Sequence, residues 1–153
     1  MTITLQAIKA EQTKIAEMIS AFEAQSKATE SIRFPEQLIE LNPGEHYAGI
    51  VTAKDGTAPY HLILLPGDGA PMPWKKAQEW VIATGGELPN SREQALLYAN
   101  LKEQFEEAWY WSSEPHATDS DYAWLQDFYY GNQYYDATDV TYRARAVRRL
   151  EIQ

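Results

Sequence analysis

The sequence contains no cysteine and only three histidines, and these absences exclude or disfavour several kinds of chemistry. Without cysteine the chain has no disulfide, no thiolate metal site and no thiol nucleophile. The histidines, His46, His61 and His116, are far apart and form no ligand-spaced pair, which disfavours a metal site. Phosphate-loop, dinucleotide and nucleophile-elbow motifs are also missing. We therefore expect no metal, no cofactor, no catalytic residues and no enzyme activity.

Positive charge and long apolar runs are scarce as well. The chain has 13 Lys and Arg against 22 Asp and Glu, a net charge of −9, which disfavours nucleic acids and anionic membranes as partners. No apolar run approaches the roughly 18 residues of a membrane span, and the first residues lack the basic and apolar regions of a secretory signal. We expect a protein that is cytoplasmic when made and that stays there or leaves inside a virus particle.

Residues 1–30 carry a heptad pattern, with spacings that alternate three and four. β-Branched residues at the d positions favour trimers over dimers, and the single polar a position, Gln12, is a known way to fix register. We predict an amphipathic helix and linker here, followed by a domain at 31–153. The helix is expected to form a homo-oligomer, preferably a trimer; the alternative is that it lies on its own domain. The stripe consists of Leu5, Ile8, Gln12, Ile15, Ile19 and Phe22.

Residues 31–153 contain a hairpin signal and one helix with a clear stop. Two strands, His46–Val51 and Tyr60–Leu65, flank an Asp55-Gly56 turn, and in such a hairpin His46 and His61 become candidate cross-strand neighbours. Residues 66–71 read as a loop. A helix is predicted over 74–84, with Gly85-Gly86 as its stop.

A second helix of this domain should open with a capping box of Ser91 and Gln94. After Phe105 the helical period ends, and short strands and loops lead to an arginine-rich terminal strand. Helices in the middle with strands at both ends predict an α+β domain. The buried face of this helix is predicted to contain Ala95, Leu96, Tyr98, Leu101 and Phe105.

The terminal arginines allow two interpretations. On one strand Arg143 and Arg145 share a face and Arg148 takes the other. They serve either as ligands for a carboxylate or phosphate, or, as we favour, as structural partners of preceding carboxylates. Trp74, Trp80, Trp111 and Trp124 are likewise interpreted as core residues. The acidic partners considered for the arginines are Glu106, Glu107, Glu114, Asp119, Asp121 and Asp127.

Three motifs together resemble a known family. They are the Gly-Gly-Glu-Leu-Pro turn at 85–89, the strand 109–113 and the run Arg-Ala-Arg-Ala-Val-Arg at 143–148. Over residues 32 to 150 the chain resembles the family typified by the C-terminal domain of the Legionella collagen-like adhesin, which is common in bacteria, phages and prophages. The resemblance implies a C-type-lectin-like fold and binding rather than catalysis, and it leaves the ligand open. Related folds also serve as variable proteins of diversity-generating retroelements, which mutate adenines in one C-terminal segment.

The segment between Trp109 and Tyr142 holds 11 of the 19 aromatic residues, so we interpret it as a recognition surface rather than plain core. Tyrosine beside Asp, Asn and Ser gives rigid, amphipathic contact area with adjustable hydrogen bonding. The composition also fits a hypervariable segment, or simply an exposed hairpin around Gly131-Asn132. The predicted ligand-binding residues are Asp119, Tyr122, Tyr129, Tyr130, Asn132, Tyr134, Tyr135 and Asp136.

We therefore expect a multivalent phage or prophage binding protein whose partner is a protein or glycan on a cell surface. The alternative is an intracellular phage protein that binds and inhibits a host or defence protein through its acidic surface. Triplet motifs of lectin-type calcium sites are missing. Oxygen ligands for Ca²⁺ nevertheless exist in Asp119, Asp121, Asp136 and Asp139.

Overall fold

A computed structural model describes residues 2–27, 29–52 and 54–153, and its contacts divide the chain into two units, Met1–Phe34 and Pro35–Gln153. The first unit contains helix α1, Leu5–Lys27, which begins where the Thr4 hydroxyl accepts a hydrogen bond from the Ala7 N–H at 3.1 Å. None of its residues is buried in the single chain, so the whole heptad stripe is exposed. Among the described helices, none combines the length and hydropathy that crossing a membrane needs.

The second unit is a mixed α and β structure with two helices and two sheets, which confirms the predicted α+β class. The elements in chain order are β1 (His46–Val51), β2 (Tyr60–Leu64), β3 (Gly69–Met72), α2 (Trp74–Thr84), α3 (Ser91–Leu101), β4 (Trp109–Pro115), β5 (Tyr122–Asp127), β6 (Gln133–Ala137), β7 (Tyr142–Ala144) and β8 (Val147–Glu151). One sheet has three strands in the order β1-β2-β8, and the other has five in the order β3-β7-β4-β5-β6.

The predicted first hairpin is confirmed, since β1 and β2 pair antiparallel and Asp55 and Gly56 both have positive φ. The proposed pairing of its histidines is wrong. His46 lies opposite Leu64, whereas the His61 ring is 2.8 Å from the Tyr47 hydroxyl. The loop predicted at 66–71 is also partly wrong, because its last residues belong to β3. This strand lies at the edge of its sheet, where a proline is tolerated.

Helix α3 is present, but its capping box lies one residue earlier than predicted. The Asn90 side chain accepts from the Glu93 N–H at 2.9 Å, and Glu93 accepts from the Asn90 N–H at the same distance. Ser91 does not cap because its N–H and hydroxyl both donate to Glu114. Gln94 is buried, and its amide donates to the carbonyl of Trp111 at 3.0 Å.

The predicted apolar face of α3 is largely confirmed, since Leu101 is buried and Leu96, Tyr98 and Phe105 pack against the core. Ala95 is exposed, so its prediction is wrong, and the buried Leu97 was missed. Phe105 falls beyond the helix, after a short 3₁₀ turn at Lys102–Gln104. The buried face also includes the polar pair of the first turn, Glu93 and Gln94, because both side chains have partners inside the domain.

The arginine-rich segment forms two strands rather than one, because β7 belongs to the five-stranded sheet and β8 to the three-stranded sheet. Residues 145 and 146 carry the chain between them. Arg145 is buried, unlike Arg143, and its guanidinium donates to the carbonyls of Gln104 and Leu65, the latter at 2.9 Å. The predicted carboxylate partner of Arg145 is therefore wrong: backbone carbonyls at the switch between the sheets take its place.

The remaining arginines do pair with carboxylates, as the structural interpretation predicts, but the partners are different. Arg148 binds Glu45 at 2.8 Å, and Arg143 lies 3.4 Å from Asp68. The predicted acids lie at positions 106–127, just before the arginine strands in sequence, whereas the observed partners lie farther away in the chain, between residues 45 and 93. Arg149 contacts two carboxylates, Glu87 and Glu93.

Two hydrophobic clusters form the core on opposite faces of the five-stranded sheet. Adjacent residues of β4 point in opposite directions, so Tyr110 packs in the cluster with Leu97 of α3, and Trp111 packs in the cluster with Val81 of α2. The GGELP turn joins α2 to this core. Gly85 ends α2 in the left-handed region, and a Cβ at Gly86 would lie 2.7 Å from the Val147 carbonyl oxygen.

Candidate functional site

The predicted binding residues lie mainly on the hairpin formed by β5 and β6, the last two strands of the five-stranded sheet. Its turn is fixed by Asp127, whose carboxylate accepts hydrogen bonds from the N–H groups of Tyr129 at 2.8 Å and Tyr130 at 3.1 Å. Gly131 completes the turn with φ of 88°, and a Cβ there would lie 2.5 Å from the Tyr98 ring. The backbone of the hairpin tip is therefore held in one conformation.

Two tyrosines project from this fixed tip. Tyr130 is 78% exposed and Tyr129 is 47% exposed, and their rings meet edge to face with centroids 4.3 Å apart. Asn132 beside them is exposed. The Lys102 ammonium donates to the Tyr129 carbonyl at 3.3 Å. Hence two large aromatic side chains face solvent from a turn that the Asp127 carboxylate holds in place.

Further along β6, rings converge on Tyr135. Its ring centroid is 4.4 Å from that of His116, 4.8 Å from Tyr134, 5.3 Å from Trp124 and 6.0 Å from Tyr122. We call these five residues the aromatic cluster. Successive side chains of a strand point to opposite faces of the sheet, yet the Tyr134 and Tyr135 rings lie nearly parallel and stack on each other. Because β6 is the last strand of its sheet, this stack lies at the outer edge of the sheet.

Asp136, the next residue of β6, has a structural bond. Its Oδ2 accepts a hydrogen bond from the Tyr142 hydroxyl at 2.6 Å, and its Oδ1 accepts from the Ala137 N–H at 2.8 Å. Burial, together with this bond to Asp136, raises the pKa of Tyr142 to about 12. The phenol therefore keeps its proton at neutral pH and holds the carboxylate in place.

Asp136 also lines a shallow cleft of about 280 Å³, which we call the aromatic cleft. Another lining residue, Leu125, is buried and lies opposite Tyr134 in the strand register. Only one of its lining residues is charged. The lining consists of Trp109, Leu125, Tyr134, Tyr135, Asp136 and Tyr142.

The structure distributes the predicted residues along the hairpin rather than around one pocket. Tyr129, Tyr130 and Asn132 form its tip, while Tyr122, Tyr134 and Tyr135 meet in the aromatic cluster. Asp136 lies in the aromatic cleft. Asp119 is exposed in the loop before β5, where its Oδ1 accepts from the Asp121 N–H at 3.0 Å.

Sequence reasoning missed four contributors to these surfaces: His116, Trp109, Trp124 and Tyr142. Trp124 is only half-buried and stacks near His116, so it is not the fully enclosed core residue that we predicted, whereas Trp111 is fully buried. The sequence contained a signal for Trp124, since it lies two residues after Tyr122 on β5 and residues two apart on a strand share a face. Tyr142 and Asp136 are six residues apart, on either side of the connection from β6 to β7, and no periodic pattern of a strand or helix relates them.

Within the described ranges, no three His, Asp or Glu side chains are close enough to hold a metal ion. Of the four carboxylates considered for Ca²⁺, Asp119 and Asp136 accept hydrogen bonds from protein N–H or O–H groups. A scan of protein-family models finds no match to the chain, and a search of curated proteins finds none either.

Proposed function

We propose that the protein is a multivalent ligand- or receptor-binding protein of phage or prophage type. In this proposal residues 31–153 are a C-type-lectin-like domain, and α1 is the element that oligomerises. The ligand is a protein or glycan on a cell surface. The observation that carries the proposal is the set of exposed tyrosines at the tip and outer edge of the β5–β6 hairpin. The protein is not proposed to be an enzyme.

The hairpin supports binding because its tyrosines are both accessible and ordered. Tyrosine has few rotatable bonds, so a ligand that covers it orders little additional structure. The Asp127 carboxylate fixes the turn beneath Tyr129 and Tyr130, and the contacts around Tyr135 fix the strand edge. Large aromatic anchors held in this way dominate the energy of many interfaces.

The exposed stripe of α1 supports multivalency. Its six heptad positions contain five apolar side chains, and these are between 46% and 71% exposed in the single chain. Contiguous apolar surface of this kind is unfavourable in water, and burial in a bundle of helices removes it. Linking several hairpins in a trimer raises avidity without any new contact at each site.

The net charge of −9 favours a second candidate, an intracellular phage protein that binds and inhibits a host or defence protein. The two candidates differ in where the protein is found. Proteomic analysis of purified virus particles should detect the chain if it is a receptor-binding component. Its absence from particles, with recovery of a host protein bound to it in infected cells, would favour the second candidate.

The direct test of the hairpin combines two substitutions, Tyr130→Ala and Tyr134→Ala, and measures attachment of the labelled protein to host cells. We expect attachment to fall by at least about tenfold, in the range for loss of interface hot spots. Ile82→Ala is the matched control, because Ile82 is 72% exposed on α2 and lies away from the hairpin in sequence. Unchanged attachment of the double variant would contradict the proposed binding surface.

The oligomer is tested by light scattering of the full chain at micromolar concentration. We expect a trimer for the native sequence and dissociation for Ile15→Asp, because an unpaired carboxylate in an apolar seam is costly. Thr13→Asp adds the same charge outside the stripe and should leave the oligomer intact. A native chain that stays monomeric would disprove the role of α1 while leaving the hairpin proposal open to its own test.

A further inference from the structure

The aromatic cleft differs from other hollows of the surface in the chemistry of its walls. Four of its six lining residues are aromatic, Asp136 is its one charged residue, and no Lys or Arg lines it. Its volume of about 280 Å³ suits a small organic group rather than a metal ion. The lining therefore combines π surfaces with negative charge.

Asp136 supplies the negative charge of the cleft. In the part of the chain that the structure describes, no Lys, Arg or His side chain forms an ion pair with this carboxylate. By contrast, every arginine near the core, such as Arg148 with Glu45, has a defined partner. The Asp136 charge is thus left for a ligand.

The hydrogen bonds that Asp136 already accepts indicate which class of cation the cleft can bind. Each of its oxygens already accepts one hydrogen bond, from Tyr142 and from the Ala137 backbone. What the cleft offers in addition is charge and aromatic rings. A quaternary ammonium group has no N–H to donate, and it interacts favourably with both.

We propose that the aromatic cleft binds a small quaternary ammonium ligand, with the cation between the rings of Trp109, Tyr134 and Tyr142 and near the Asp136 carboxylate. This inference rests on the proposed binding role of the hairpin surface, and it names the ligand class for one part of that surface. The acidity of the whole chain adds a favourable long-range field for a cation.

Choline is the probe, and 3,3-dimethyl-1-butanol, its neutral isostere, is the matched control ligand. Binding to the full chain is followed by NMR through the indole N–H resonance of Trp109, assigned with Trp109→Phe. We expect choline to bind at least about tenfold more tightly than the isostere, in line with the general strength of cation–aromatic interactions. Equal binding of the two ligands would show a merely apolar cleft and would overturn the proposal, as would no binding of choline.

Two variants locate the site. Tyr134→Leu keeps the apolar volume but removes a π face, and Asp136→Asn removes the charge; each should weaken choline binding by about fivefold or more. Asp139→Asn, an exposed aspartate near the end of β6, is the control and should bind as the native chain does. Melting curves confirm folding of each variant, and Tyr134→Leu keeps the test valid if Asp136→Asn unfolds. Unaltered choline binding by a folded Tyr134→Leu would contradict the assignment.

Cell attachment and choline binding are expected to respond differently to substitution of Tyr130. Tyr130 lies at the tip and does not line the cleft, so Tyr130→Ala should reduce cell attachment and leave choline binding unchanged. If choline does not bind while Tyr130→Ala still reduces attachment, only the ligand class is wrong. If neither effect is found, the binding surface itself is wrong.

Discussion

Two groups of aromatic residues lie close together in the sequence but differ in environment. Tyr110, Trp111 and Phe128 are essentially inaccessible, and their polar atoms have fixed partners: the Trp111 indole donates to the Met72 carbonyl at 2.8 Å, and the Tyr110 hydroxyl donates to Asp68 at 2.7 Å. Tyr129 and Tyr130 follow directly after Phe128, yet both are exposed. Residue type alone therefore does not distinguish core from surface here.

The difference between the groups lies in where their polar atoms are satisfied. A buried tyrosine or tryptophan needs an internal hydrogen-bond partner, and Tyr110 and Trp111 each have one. For the tip tyrosines and Tyr134, no described residue forms a hydrogen bond with the hydroxyl, which remains open to water or a ligand. Aromatic residues of the first kind stabilise the fold, and those of the second kind are available for recognition.

Substitution in the core should produce the largest effect. Trp111→Ala removes a fully buried indole and leaves the Met72 carbonyl without its donor, so we expect the free energy of unfolding to fall by about 3–5 kcal/mol. Chemical denaturation monitored by circular dichroism measures this loss. A change below about 1 kcal/mol would show that the β4 core is not packed as described.

A smaller effect is expected where the chain passes between the sheets. Arg145→Lys should reduce the free energy of unfolding by about 2 kcal/mol, because an ammonium group does not reproduce a fork that bridges the Gln104 and Leu65 carbonyls. Arg143→Lys is the control, since Arg143 is half-exposed and its contact with Asp68 is a long one. Equal stability of the two variants would argue that the bridge contributes little.

The Glu45–Arg148 pair should make stability depend on acid. The hydrogen bond from Arg148 lowers the pKa of Glu45 from 4.5 to about 2 in the folded protein. The contribution of this pair to the free energy of unfolding is therefore complete above pH 4.5, and it is lost as the pH falls towards 2 and Glu45 becomes protonated. We expect a loss on the order of 2 kcal/mol, reduced by solvent screening of the half-exposed arginine. Glu45→Gln should remove this part of the pH dependence in denaturation measured between pH 2 and 6.

The smallest effect is expected at the exposed tyrosines. Tyr130→Ala and Tyr134→Ala should each change the free energy of unfolding by less than about 0.5 kcal/mol, as exposed positions usually do. Tyr135→Ala should cost more, because this half-buried ring contacts four others. If the exposed pair destabilises the domain as much as Tyr135→Ala does, the distinction between the two groups fails.

Local patterns in the sequence determined the class of the fold and many of its elements. The Asp55-Gly56 turn predicts the first hairpin because few other residues adopt its positive φ angles, and Gly85 predicts the end of α2 for the same reason. Alternation along β4 indicates that neighbouring aromatics face opposite ways. These features depend on backbone conformation over a few residues, which the local sequence dictates.

Tertiary structure decided the features that depend on partners distant in the chain. In sequence Arg145 does not differ from the neighbouring arginines. It is buried because the chain crosses there from one sheet to the other, where its guanidinium donates to backbone carbonyls. Asn90 rather than Ser91 caps α3, because the Ser91 N–H and hydroxyl donate hydrogen bonds to Glu114 on β4. Arg149, at the C-terminal strand, meets Glu87 and Glu93 only because the fold packs those earlier residues beside β8. Such contacts result from packing, in which the free energy of the whole domain selects among locally equivalent side chains.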